Sequence, residues 1–117
     1  MSMLGVIAAT LLTGALGAVL RASVVARRPR AGTAVVNVGG TALLASVLVA
    51  YGRGTIDAGL AVVLGIGLSG SLTTFSGWMA VLADGFARRP VVTALVDLLL
   101  PLVAVVALTV VVFATFT

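Results

Sequence analysis

SGSLTTFSGW, residues 69–78, lies at the centre of a stretch with no charged side chain between Asp57 and Asp84. Those flanks mark a membrane crossing, yet the middle of it holds Ser69, Gly70, Ser71, Thr73, Thr74, Ser76 and Gly77. Serine, threonine and glycine are poor helix formers as a group, because their side chains compete for backbone hydrogen bonds or leave the backbone unrestrained. The 26 residues from 58 to 83 would span about 39 Å as a helix, more than the roughly 30 Å of hydrocarbon requires. There is length to spare for an interruption. Irregular backbone survives at that depth only when it is buried in protein or lines a polar cavity. The alternative is a kinked but intact helix whose hydroxyls bond back to carbonyls one turn earlier.

The rest of the chain is of the same kind. Mean hydropathy is +1.34 and only 9% of the 117 residues are charged, far below the roughly one quarter of a soluble domain. Four crossings fit this length, at about 20 residues each, and five do not. They are expected at about 3–26, 32–52, 58–83 and 91–116, in a single membrane domain over residues 1–117 with short connections. The first is read as a true crossing rather than a signal peptide: it has no basic leader and its apolar run is too long. The fold expected is an all-α membrane protein with the third helix broken at mid-membrane.

Composition also excludes chemistry. There is no His and no Cys, which removes the usual transition-metal sites, thiol catalysis and disulfides. The only carboxylates, Asp57, Asp84 and Asp97, are too scattered to form an acid–base pair, so no enzyme is expected. The net charge of +4 reads as topology-setting charge at helix ends and contact with anionic headgroups, not as a nucleic-acid surface.

Six of the seven arginines sit at one end of the bundle: Arg21, Arg27, Arg28 and Arg30 around the first connection, Arg88 and Arg89 in the third. Arg53 stands alone at the other end. Basic residues favour the cytoplasm, so both termini are expected outside it, in a cell-membrane protein with one fixed orientation. Packing between helices is expected to use small residues, among them Gly5, Gly14, Gly17, Gly39, Gly40 and Gly65 with Ser69. Asn37 is the other unusual residue. It shares a helix face with Thr33 and Thr41, four residues to either side. As interhelical glue it is ordinary; as a lining group it offers an NH₂ to an anion.

Two motifs together resemble a family. GTAVVNVGGT (32–41) is similar to the GT–N–G–S/T pattern in the second helix of the Fluc/CrcB fluoride channels, and SGSLTTFSGW to the TTFS-type signature of their third. Gly14, Gly17 and Arg21 resemble the GxxGxxxR spacing of their first helix. The resemblance covers roughly residues 5–80. It implies a passive fluoride-specific channel that lets cytoplasmic fluoride leave the cell, built as an antiparallel dimer with two pores. It further implies pore-lining roles for Thr33, Asn37, Thr74, Phe75, Ser76 and Trp78. A structural sodium ion, not transported, is implied on the backbone carbonyls of Gly70 and Thr73.

The chain departs from the family pattern in three places that matter. Trp78 stands where a second phenylalanine is usual, and Asp97 and Pro101 occupy positions in the fourth helix often filled by Tyr or Ser. Asp97 is expected either to be neutralised by protonation or to reach an interfacial arginine such as Arg89, two turns away. The arginine asymmetry disfavours self-assembly of an antiparallel dimer, which needs one sequence to insert both ways. A partner subunit of opposite orientation is therefore expected, with a homodimer as the alternative, and one of the two pores is expected to have decayed. Two rivals remain at this stage. A small dual-topology multidrug exporter would need a buried carboxylate in the first helix, which has none; a non-conducting structural subunit would have no need of Asn37 together with the TTFS run.

Overall fold

In the computed structural model, residues 1–116 are described, and four helical crossings account for nearly all of them. Helix α1 spans Met3–Arg27 and α2 spans Pro29–Gly52. The third crossing, Ala58–Arg88, is not one helix. Its first part, α3, begins as an α-helical turn at Ala58–Val62, loosens to a π-helical stretch at Val63–Ser69 and closes with an α-turn at Gly70–Leu72. Thr73 and Thr74 are extended, with φ/ψ of −83/152° and −148/112°. Helix α4 then runs Phe75–Arg88, and α5 follows at Val91–Phe116. All four crossings are long and apolar enough to span a bilayer.

Helix ends follow local chemistry. Ser2 caps α1 by accepting the Gly5 amide at 3.0 Å, and Asp57 caps α3 by accepting that of Leu60 at 2.8 Å. Pro29 opens α2 in the first turn, where a missing N–H costs nothing, so the helix starts there and not near residue 32. At the far end of α4 the chain stays helical to Arg88 rather than stopping near residue 83. Asp84 pairs with Arg88 one turn on (3.3 Å) and with Arg89 (3.8 Å), which suits a helix end emerging into the headgroup region.

The break lets the third crossing change neighbours. Before it, α3 packs between α1 and α2; after it, α4 packs against α5 and α2. Among the described residues α1 and α5 make no contact, so α2 is the central helix. It carries most of the buried side chains, including Val36, Ala45, Val47 and Val49. The chain is 51 × 31 × 17 Å, little more than one helix layer thick in its shortest direction. Leucines and valines of α1 and α5 point outward, as lipid-facing residues do.

Close approach around α3 depends on three glycines: Gly67, where a methyl group would collide with the Thr13 hydroxyl, Gly17 and Gly40. A methyl group at Gly17 would collide with the Ser71 hydroxyl and lie 2.8 Å from the Leu68 carbonyl oxygen. One at Gly40 would collide with the Thr73 methyl. Gly39, its neighbour, faces open space and does no packing within the subunit. Ser69, only 1% exposed, donates its hydroxyl to the Gly40 carbonyl at 2.6 Å, joining α3 to α2 where the glycine lets them meet.

Candidate functional site: the break in the third crossing

The unwound segment is held from two sides. From α2, Asn37 clasps Thr74 with both ends of its amide: Nδ2 donates to the Thr74 carbonyl at 3.0 Å and Oδ1 accepts the Thr74 amide at 2.6 Å. A continuing helix would have sent that amide to the carbonyl of Gly70. Asn37 takes it instead and supplies the polar partner that lipid does not. From α1, Arg21 donates to the carbonyls of Ser71 (3.0 Å) and Thr73 (3.4 Å). Those carbonyls end α3, where the helix dipole is negative, so a guanidinium is well placed. Arg21 reads in the sequence as part of the topology-setting charge. Its position nearly two turns inside the first crossing is the signal that it serves an interior group.

On the far side of the break, Thr74 caps α4 by accepting the Gly77 amide at 3.1 Å, with the Ser76 hydroxyl 3.4 Å from its own. Two half-helices thus meet end to end, one presenting carbonyls and the other amides. Carbonyl ends suit a cation and amide ends suit an anion.

A cavity of about 310 Å³ opens beside the break. Asn37, Thr41, Ser69, Thr73 and Thr74 supply its polar wall, and Phe75, Trp78 and Pro101 part of its apolar one. Of the six residues expected to line a pore, Asn37, Thr74, Phe75 and Trp78 border this space. Thr33 and Ser76 border another, of about 400 Å³, with Arg21 and Gly77 on the opposite flank of Thr74. Thr33 is 2% exposed and its hydroxyl proton goes to the Pro29 carbonyl at 2.6 Å, so the face shared with Asn37 is divided at residue 33. Phe75 is 73% exposed and meets Trp78 edge-on, with ring centroids 6.2 Å apart.

Asp97 is paired with Arg30, not primarily with Arg89. Arg30 Nε donates to both carboxylate oxygens, at 2.6 and 2.7 Å, while Arg89 stands 3.9 Å away. The Asp97 side chain is 11% exposed, and the pair ties α5 to α2. Arg89 is nearer in sequence, but α2 and α5 run parallel from the arginine-rich end, which brings the start of α2 alongside Asp97. The Trp78 indole N–H donates to the Asp97 main-chain carbonyl at 3.1 Å. That bond was not anticipated. The clue was the four-residue spacing of Asp97 and Pro101, since proline removes the N–H that an i−4 carbonyl expects.

Among the described residues no cluster of His, Cys, Asp or Glu exists that would hold a metal ion; any cation here relies on main-chain oxygens. The Gly70 carbonyl has lost the Thr74 amide and keeps a long contact from the Thr73 hydroxyl at 3.4 Å. The Thr73 carbonyl, the other oxygen that the resemblance implies for a cation, accepts from the Arg21 guanidinium at 3.4 Å.

A small four-helix membrane protein, its third crossing unwound beside a cavity lined by hydroxyl, amide and aromatic groups, has the build of a channel-type membrane protein. The chain belongs to the CrcB family: the family model described as CrcB-like protein, Camphor Resistance (CrcB) matches residues 8–115, nearly the whole sequence. The family is known for fluoride and camphor resistance. No curated protein matches the chain.

Proposed function

We propose that this chain is a subunit of a fluoride-selective channel through which cytoplasmic fluoride leaves the cell passively. The observation that carries the reading is the Asn37–Thr74 clasp, which holds the third crossing open beside the 310 Å³ cavity. Fluoride is small and tightly hydrated, so its conduit must replace water with several donors at once. One N–H of Asn37 is spent on Thr74, and the other remains for the cavity. The hydroxyls of Thr41 and Thr74 are close by, and aromatic ring edges carry the positive part of the ring quadrupole. Such donors are weaker than full cationic side chains, which would bind the ion too firmly to release it. Thr33 and Ser76 would line the approach on the Arg21 side of Thr74.

A sodium ion would be held by the carbonyls of Gly70 and Thr73, fixing the unwound backbone without being transported. Its positive charge would also offset the carbonyl end of α3. Arg21 shares the Thr73 carbonyl and already does part of that work.

In this reading the arginine-rich end is cytoplasmic and both termini lie outside. The working unit is an antiparallel dimer, and the six-to-one arginine count favours a related partner of opposite orientation over a second copy. Phe75, exposed on its own subunit, would meet that partner's side of the pore. The test is growth of a host that lacks fluoride export. Rescue by this chain with an inverted partner, lost on Asn37→Leu while membrane insertion persists, is the expected result. Rescue that survives Asn37→Leu would remove the pore assignment. Proton-coupled export by the chain remains disfavoured, because α1 holds no carboxylate.

A further inference from the structure

At the arginine-rich end a chamber of about 560 Å³ opens between α2, α4 and α5, with Arg28, Arg30, Arg89 and Asp97 on its border. A groove of about 410 Å³ runs along α5 and is bordered by valine and leucine alone. Val96 and Leu100 border both, so the charged chamber adjoins the apolar groove. The other groove residues, Val92, Leu95, Leu99 and Val103, join them at three- and four-residue steps in one stripe of α5. From Val92 to Val103 the stripe is about 17 Å long at 1.5 Å per residue, close to half of the roughly 30 Å hydrocarbon core. It has the length of one leaflet and begins beside Arg89.

The chamber holds positive charge that the chain itself does not answer. Three arginines and one aspartate border it, a net charge of +2. Asp97 is committed to Arg30, at 2.6 and 2.7 Å. Arg89 stands 3.8 Å from Asp84 and 3.9 Å from Asp97, too far for hydrogen bonds. The Arg28 side chain has no hydrogen bond or ion pair among the described residues. Two guanidinium groups are thus left for an anion at headgroup level, and their planar fork matches the paired oxygens of a phosphate. Full cationic charge retains an ion rather than passing it on. The chamber shares no bordering residue with the approach between Arg21 and Thr33, so an anion resident here stands off that route.

We propose that chamber and groove together form a site for one anionic phospholipid, its phosphate between Arg28 and Arg89 and an acyl chain along the α5 stripe. Basic pockets between crossings at headgroup level take anionic heads, and here the apolar half of the site is continuous with the basic half. A free phosphate would answer the arginines and leave the groove unfilled. A helix of another chain would fill the groove and leave the arginines unanswered. A zwitterionic lipid brings an ammonium into a chamber that is already positive, whereas a phosphatidylglycerol-type lipid brings none. Bound there, the lipid anchors the arginine-rich end in an anionic leaflet. The site goes beyond the channel reading and does not rest on it.

Trp78 borders the chamber and is the chain's single tryptophan, so its fluorescence reports on the site. The full chain is reconstituted in phosphatidylcholine vesicles that contain a small fraction of lipid brominated on its acyl chains, a quencher of tryptophan. Read from the quenching, brominated phosphatidylglycerol should bind beside Trp78 at least about fivefold more tightly than brominated phosphatidylcholine. Arg28→Gln, which removes a side chain without partners and so leaves the fold intact, should reduce that preference at least about twofold. Arg28→Gln with Arg89→Gln should bring the two lipids to parity. Val96→Phe with Leu100→Phe, which fills the junction of chamber and groove, should do the same. Parity in the parent chain, as when another chain covers the groove, would overturn the proposal. So would a preference that survives both arginine changes, or one that Arg53→Gln at the opposite end reduces equally. Loss of the preference in excess sodium phosphate would assign the arginines to free phosphate and overturn the lipid. Fluoride movement plays no part in this readout, so its failure leaves the channel reading standing.

Discussion

Trp78 donates its indole N–H to the Asp97 carbonyl at 3.1 Å, and Asp97 is the residue whose helical donor Pro101 has removed. An unpaired carbonyl is costly inside a bilayer, so the two residues are linked by a defect and its repair. Trp78→Phe should lower stability by about 1–3 kcal/mol, the cost of leaving one buried polar group unsatisfied. Adding Pro101→Ala should recover most of the loss, because the alanine N–H restores the helical bond. Thermal unfolding in detergent of the two single variants and the double variant tests this coupling; strictly additive effects would contradict it.

The Arg30–Asp97 pair should respond asymmetrically. Arg30→Ala strands a carboxylate that is 11% exposed, with only Arg89 at 3.9 Å to help it. Asp97→Ala strands an arginine that is 40% exposed and can turn to water. The first should cost about 2–4 kcal/mol and the second about 1–2, the partial exposure of Arg30 reducing both below a fully buried pair. A double-mutant cycle by denaturant unfolding measures the difference.

At the break, Asn37→Leu takes the acceptor from the Thr74 amide and the nearer of two donors from its carbonyl, which keeps a 3.4 Å bond from the Trp78 amide. One backbone amide is then unsatisfied at membrane depth, and stability should fall by about 1–3 kcal/mol. Amide hydrogen exchange at Thr74 should accelerate well beyond that of its helical neighbours.

Glycine substitutions separate packing from local propensity. Gly17→Ala drives a methyl against the Leu68 carbonyl and should cost about 1–3 kcal/mol, because backbone cannot step aside. Gly39→Ala, facing open space, should be neutral or slightly stabilising for the isolated subunit through better helix propensity. A loss of assembly in the Gly39 variant, with the subunit intact, would instead locate that glycine at a partner's surface.

Much of this was legible in the residues. The charge-free interval from 58 to 83 with its hydroxyl-rich centre announces both a crossing and its interruption, because lipid leaves so few ways to hold polar backbone. What was not legible is who holds it. That Asn37 is a clasp for Thr74 first and a lining residue second depends on how α2 lies against the break, which spacing along one helix does not reveal. Thr33 shares a face with Asn37 in sequence, yet it borders a different cleft, because Thr74 stands between them. That Asp97 pairs with Arg30 and not with the nearer Arg89 is hidden in the sequence, since the parallel α2 and α5 bring turns 67 residues apart together. Trp78, Asp97 and Pro101 each looked like an isolated oddity, and only the fold makes them neighbours.

The most direct test of the account is fluoride efflux from liposomes, followed with a fluoride electrode while a potassium ionophore clamps the voltage. With an inverted partner, the parent chain should release fluoride rapidly and chloride hardly at all, and Asn37→Leu should reduce the fluoride rate at least a hundredfold. Equal release of the two anions by the parent, or fluoride release untouched by the Asn37 change, would contradict it.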